Sequence, residues 1–313
     1  MCPVSDDEAL WQKVDDALNS DDTVLEACRN YIETLSPAID AICNGINVSR
    51  VGRNLIYRCI AKRMQENVGA IIAFAESDYS SMSPMPLRPL CEDLIYGCWL
   101  RGLPAEDVDS FVEMSIWTDI LKGMGVQSRF LPRAYKTYTL LPNEAQSASD
   151  PVGAKPDEPE RDAIFETAHL SYRQQLKILG KKLGWNNGRT PSIYEMAKSC
   201  DLIEIYEFFY HGASKSVHSD MHTMGRMVWG TPGGSFNISS QNFANYYRLF
   251  ALAYSVWLAE ELFERLIAPE FSKECLLIDG QAHSVWLAMV LTGLARNKAF
   301  PPLVTKEELR WRS

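Results

Sequence analysis

The chain has 313 residues, 46% of them hydrophobic and 23% charged, with a net charge of −9. That length can bury a large core in one or two domains, and the composition is that of an ordinary globular protein, not a disordered or fibrous one. The acidic balance disfavours long-range attraction to nucleic acid or anionic membranes, though net charge is a sum and leaves room for a local basic patch.

Taken in chain order, nearly every segment has helical period. The first residues, MCPVSDDEAL, are acidic and lack an apolar h-region, so no signal peptide is expected. Helices are predicted over 5–18 and 21–43, the second with Val24, Cys28, Tyr31, Ile32 and Leu35 on one face. A long helix follows over 50–77, striped by Ile56, Ile60, Met64, Val68, Ile71 and Ile72. The run SSMSPMP (80–86) breaks it, since proline stops helices and biases its predecessor away from the helical region. Helices at 87–102 and 104–123 come next; Pro104 and acidic first-turn residues suit the start of the second.

Residues 142–162 are the least apolar stretch, with four prolines and no aromatics, and read as a mobile surface loop. Helices resume at 163–184, 191–199 and 201–219. In 223–238 a TPGG turn between MVW and FNI predicts a β-hairpin, and these glycines lack the context of a phosphate-binding P-loop. Helices at 239–267 and 278–296 complete the chain. The predicted class is all-α: a multi-helix bundle with one short β-hairpin near 223–238. An N-terminal helical region (1–80) would precede a helical core domain (81–313), unless the two are continuous.

The longest apolar stretches, 249–259 and 284–295, are too short to span a bilayer, so no membrane partner is expected. Eight cysteines stand at 2, 28, 43, 59, 91, 98, 200 and 275, with no CxxC pair and no zinc-finger spacing. They read as buried free thiols, hence a reducing compartment and a cytoplasmic protein.

Three constellations could carry chemistry. The first is Tyr206–His222, YEFFYHGASKSVHSDMH, which holds three of the five histidines. On a helix His211, His218 and His222 share a face, with Tyr210, Ser214 and His218 at i, i+4, i+8 beside them. Two helical turns separate His211 from His218, about 10 Å, too far for one ion. Only His218 and His222 could share a metal, and the glutamate of HExxH is missing because position 219 is Ser. No metal or other cofactor is expected. The second is Arg88 and Glu92 at i, i+4 on an otherwise apolar helix, where a partly buried arginine needs a partner and could hold an anion. The third is the basic stripe Arg173, Lys177, Lys181, with Lys182 and Arg189 behind. It could track a phosphate backbone, but reads first as a solvated helix face.

Taken in order, these segments resemble the DUF5677 family, prokaryotic helical proteins of unassigned function. The resemblance rests on Arg88 and Glu92, on Trp185 and Arg189 followed by PSIYEMAKSC, and on Tyr206, Tyr210, Ser214 and His218 at four-residue spacing; it covers about residues 50–260. It implies a helical fold and almost no biochemistry. A weaker, fold-level analogy is to HEPN-type helical proteins, many of which are ribonucleases of toxin and phage-defence systems. Their signature places an Arg four to six residues before a His. Here positions 211–213 before His218 are His-Gly-Ala, a departure that counts against a typical HEPN nuclease.

Two functional readings follow. In one, the chain is a non-catalytic binding or interaction module, in the setting of prokaryotic phage defence. Arg88, Glu92, Tyr210, Ser214 and His218 then form a polar network, and Trp229, Phe236, Tyr246, Tyr247 and the 142–162 loop are interface candidates. In the other, it is a metal-independent, HEPN-like ribonuclease. His218 is then the general acid/base, Arg88 the electrostatic stabiliser held by Glu92, and Ser214 and Tyr210 the positioning groups. The expected partners are a protein or RNA, with a homodimer as a further expectation for a helical protein of this kind.

Overall fold

The computed structural model describes residues 21–44, 52–137, 159–217, 221–230, 236–296 and 303–304. The described residues are mostly helical, so the chain is all-α. Helix α1 spans Asp21–Cys43, α2 Arg53–Ala75, α3 Leu87–Arg101, α4 Ala105–Thr137, α5 Pro159–Lys182, α6 Ile193–Ser199, α7 Ile203–Val217, α8 Met221–Met227, α9 Ala244–Leu262 and α10 Gly280–Arg296. Val228–Gly230 (β1) and Phe236–Ile238 (β2) pair antiparallel, Val228 opposite Ile238. The TPGG turn lies outside the described residues.

The chain folds into two compact units. The first joins α1, α2 from Asn54 and α3 to everything from Ile193 onward; the second holds Arg50–Arg53 and Leu103–Ser192. Residue 80 falls inside the first unit, so no boundary between units stands there. The physical reason is local: the 3₁₀ turn Ser80–Met82 packs on α9, and the buried Ser83 hydroxyl donates to the Tyr247 carbonyl at 3.1 Å.

In the first unit α3 lies between α9 and the pair α6 and α7, while α1 packs on α9 and α10. Leu87, Leu90, Leu94, Ile95 and Leu100 of α3 are fully buried, as are Leu252, Val256, Leu258 and Leu262 of α9. A helix apolar on most sides, as these are, belongs inside a bundle. The stripe expected on α2 is buried at Ile60, Met64, Val68, Ile71 and Ile72, with Tyr57 beside it donating its hydroxyl to the Gly97 carbonyl at 3.2 Å. One π-helical turn, Phe263–Ile267, follows α9.

The second unit is the antiparallel hairpin of α4 and α5 with the short turn that follows. Helix α4 runs on to Thr137, past the predicted end at 123; as far as about residue 130 α5 packs along it, and there tertiary contact outweighs two glycines. Helix α5 starts at Pro159, inside the stretch expected to be a loop; proline at the first helical position forgoes a hydrogen bond that position lacks anyway. The rest of that loop, through residue 158, lies outside the described residues.

Among the described residues the cysteines are free thiols, but not all are buried: Cys28 and Cys91 are, whereas Cys59 is exposed on the outer side of α2. No helix is long and apolar enough to cross a membrane among the described residues.

Candidate functional site

Arg88 stands in the first turn of α3, where the apolar side of the helix is committed to α9 and the remaining side faces α6 and α7. Its Nε donates to Glu92 Oε1 at 2.9 Å, one turn along the same helix. The Glu92 hydrogen bond raises the Arg88 pKa further above its already high value, so the guanidinium is permanently charged. Its carbon lies 4.7 Å from the centre of the Tyr210 ring, within cation–π range.

The stack continues from there. Tyr206 and Tyr210, one turn apart on α7, lie nearly parallel with centroids 4.7 Å apart. Tyr194 of α6 meets Tyr206 edge-on at 5.8 Å. Arg88, Tyr210, Tyr206 and Tyr194 thus form one ladder across three helices, half-buried along Arg88, Tyr206 and Tyr210 and exposed at Tyr194. Burial raises the Tyr206 pKa, with the neighbouring Tyr210 adding to it and Arg88 opposing it, so its hydroxyl stays protonated near neutrality.

The opposite face of α7 explains why the tyrosines point this way. Phe209 and Ala213 are buried, and Phe208 and Phe209 pack against Phe250, Tyr254 and Trp257 of α9. Cys91 of α3 lies against the Ile205 carbonyl at 4.0 Å, and burial pushes its thiol up to about 12, which makes it inert.

Of the expected site residues, Arg88, Glu92 and Tyr210 come together. Ser214 lies one turn beyond Tyr210 on α7, with its side chain outside the described part, and His218 lies outside the described residues together with 219 and 220. Trp185 and Arg189 belong to the second unit. There Trp185 packs edge-on against Phe111 at 5.5 Å and the chain turns back on α5, a structural use of that motif. Tyr246 and Tyr247 are not an open surface: with Phe243 they surround the buried Arg226, which donates to the Leu303 carbonyl at 2.9 Å. The side chains of Trp229 and Phe236 lie outside the described part.

Two polar features escaped the sequence reading. Asp93, beside Glu92 but on the inner side of α3, is buried, and its Oδ2 lies 3.2 Å from Arg63 Nε. Burial raises its pKa to about 7, Arg63 opposes the shift and Glu92 adds to it. Burial prevails because Arg63 is itself half in water. The second is a cluster at the meeting of α1, α9 and α10. Glu260 Oε2 accepts from the Tyr31 hydroxyl at 2.7 Å and lies 3.1 Å from His283 Nε2. The sequence reading took up Glu92 as the partner of Arg88 and passed over its neighbour Asp93, and a lone histidine in an apolar helix carries no spacing signal, so neither was legible.

Among the described residues, no group of three or more His, Cys, Asp or Glu side chains is placed to hold a metal ion. No curated protein and no solved structure matches the chain. A family model described as a family of unknown function, DUF5677, matches residues 54–236, which span Arg88 to Tyr210 and the whole α4–α5 hairpin but not Tyr31, Glu260 or His283. With more than half of its length matched, the chain belongs to the DUF5677 family.

Proposed function

We propose that this chain is a binding module whose recognition surface is the ladder of Arg88, Tyr210, Tyr206 and Tyr194, and that it takes a planar, anionic group of the nucleotide class. The observation that carries the reading is the guanidinium lying over the Tyr210 ring at the head of a tyrosine stack that ends exposed. Such a surface offers a π-face for a base and a fixed cation for a phosphate, and base–aromatic stacking contributes about 1 to 3 kcal/mol per base. The net charge of −9 repels a long polyanion but matters little to a mononucleotide or a short single strand. A place in prokaryotic phage defence belongs to the proposal only through the helical analogy.

The ribonuclease reading keeps one supporting feature: Tyr210 of the ladder is continuous in sequence, at four-residue spacing, with Ser214 and His218. One experiment separates the two. Thermal shift is measured with the four nucleoside monophosphates and short oligoribonucleotides, on wild type, Arg88→Ala and Tyr194→Ala; the same RNAs are incubated in chelator with wild type and His218→Ala. Stabilisation of wild type alone, without cleavage, supports the binding module. Cleavage lost in a folded His218→Ala supports the ribonuclease. Neither shift nor cleavage rejects both.

A further inference from the structure

We infer that the α4–α5 hairpin is a homodimerisation surface, packing against a second copy of itself as an antiparallel four-helix bundle. Two helices can cover only one side of each other, and among the described side chains of the hairpin the buried apolar ones are Val108, Phe111, Val112, Leu121 and Leu179. Outside it Trp117, Ile120 and Phe130 of α4 are 43%, 44% and 65% exposed, and Leu170 and Ile178 of α5 are 54% and 59% exposed. Ile116, Ile120 and Phe130 recur on one side of α4, as a helix–helix seam requires. Single exposed apolar residues need no explanation, but a row of them along a two-helix hairpin does.

Charge complementarity selects a second copy as the occupant. Lys182 Nζ reaches Asp107 Oδ1 at 2.6 Å, and Trp117 stacks on Tyr172 at 6.3 Å. The step from Asp107 to Trp117 up α4 equals the step from Lys182 to Tyr172 down α5, so the hairpin holds one antiparallel register. In that register the exposed acids Asp109 and Glu113 of α4 stand level with the exposed bases Lys181 and Lys177 of α5. Glu113, Lys177 and Lys181 form no ion pair among the described residues. A two-fold axis parallel to the hairpin lays α4 of each copy beside α5 of the other at the same level. Acid then meets base twice, and the two apolar rows meet each other, which is the packing of an antiparallel four-helix bundle.

The test is the mass of the full chain in solution, by light scattering on a sizing column, with sedimentation to give the dimer dissociation constant. Wild type is expected at twice 35.4 kDa. Ile120→Glu is expected at the monomer mass with its helical circular dichroism intact. Glu113→Lys and Lys177→Glu are each expected to weaken the dimer about tenfold or more, about 1.4 kcal/mol or more. An equimolar mixture of these two is expected to form dimer again, because each copy then offers the charge the other lacks. The charge variants lie on the exposed surface and keep the test decisive if Ile120→Glu fails to fold. A monomeric wild type, as a hairpin covered by its own connecting segment would give, overturns the inference. So does a dimer indifferent to all three substitutions, or one the mixture does not restore.

Discussion

Tyr31 and Glu260 face each other across the core, the Tyr31 hydroxyl donating to Glu260 Oε2 at 2.7 Å while His283 Nε2 lies 3.1 Å from the same oxygen. Tyr31 is fully buried. Its phenol is held well above the usual range, first by burial and then by the Glu260 charge and hydrogen bond. Tyr31→Phe removes one donor from a mostly buried carboxylate, and about 1 to 3 kcal/mol of stability is expected to go with it. Urea unfolding at pH 7 measures that loss. The folded-state pKa is raised, so this contribution is complete below the unfolded phenol value and fades as pH rises beyond about 10. The gap between wild type and Tyr31→Phe should therefore narrow in alkaline solution, and a gap that widens above pH 10 would contradict the assigned bond.

Asp93 makes the opposite kind of prediction, because its ionised form is the disfavoured one. Its pKa is about 7 in the fold against 3.8 for a free carboxyl, with burial as the main cause. Between those values the folded chain holds a proton that the unfolded chain has released, so stability falls as pH rises toward 7. The slope is roughly 1.4 kcal/mol per pH unit where the difference is complete. The slope tapers as the pH nears the folded value, and the net loss from pH 5 to pH 7 is expected to be roughly 1 to 3 kcal/mol. Asp93→Asn keeps the shape without the charge. Its unfolding free energy should be flatter over this range and at least equal to wild type at pH 8. Parallel pH profiles for the two proteins would remove Asp93 as the source.

The sequence made some of this legible and hid the rest for physical reasons. Helix α1 appears as expected because paired aspartates open it and its apolar residues recur at three and four. The neighbourhood of Tyr206 and Tyr210 follows from helical spacing alone. Their meeting with Arg88 does not, since it depends on how α3 packs against α7, and only the family resemblance placed those residues in one set. The extra length of α4 as far as about residue 130 was hidden because it is supported by α5 lying alongside, a contact local propensity does not encode. Tyr246 and Tyr247 read as an open patch because their occupant, Arg226, is distant in sequence from the helix that carries them. Asp93 was masked by its neighbour: of two adjacent acids one turns outward to Arg88 and the other inward to Arg63.

The Arg88–Glu92 pair is partly in water on both sides, 24% and 36% exposed, so its coupling should be small. A double-mutant cycle with Arg88→Ala and Glu92→Ala is expected to give about 0.2 to 1 kcal/mol. The cation–π contact with Tyr210 adds about 0.5 to 1 kcal/mol of its own. Arg88→Lys keeps the charge but loses the planar group over the ring and the Nε donor to Glu92, so it should behave more like alanine than like arginine. A lysine variant with full wild-type stability and an intact Glu92 coupling would show that charge alone matters at this position.

The turn after α5 gives the last prediction. Gly188 has φ of +68°, and a Cβ there would stand 2.4 Å from the Lys177 carbonyl oxygen; a Cβ on Gly180 would stand 2.4 Å from the Gly188 carbonyl oxygen. The two glycines let the chain fold back on α5 until Trp185 reaches Phe111, with Trp185 N–H donating to the Gly180 carbonyl at 2.8 Å. Asn187 shares the left-handed backbone at φ 54°, a conformation asparagine tolerates. Gly188→Ala meets both the positive φ and the carbonyl and should cost about 1 to 3 kcal/mol. Asn187→Gly should be close to neutral. Amide hydrogen exchange locates the effect: faster exchange in Gly188→Ala is expected along α5 and the first turns of α4, while the amides of α9 keep their wild-type protection. Uniform loss across both units would mean that the hairpin and the bundle unfold as one, and that the turn stabilises the whole chain instead of its own unit.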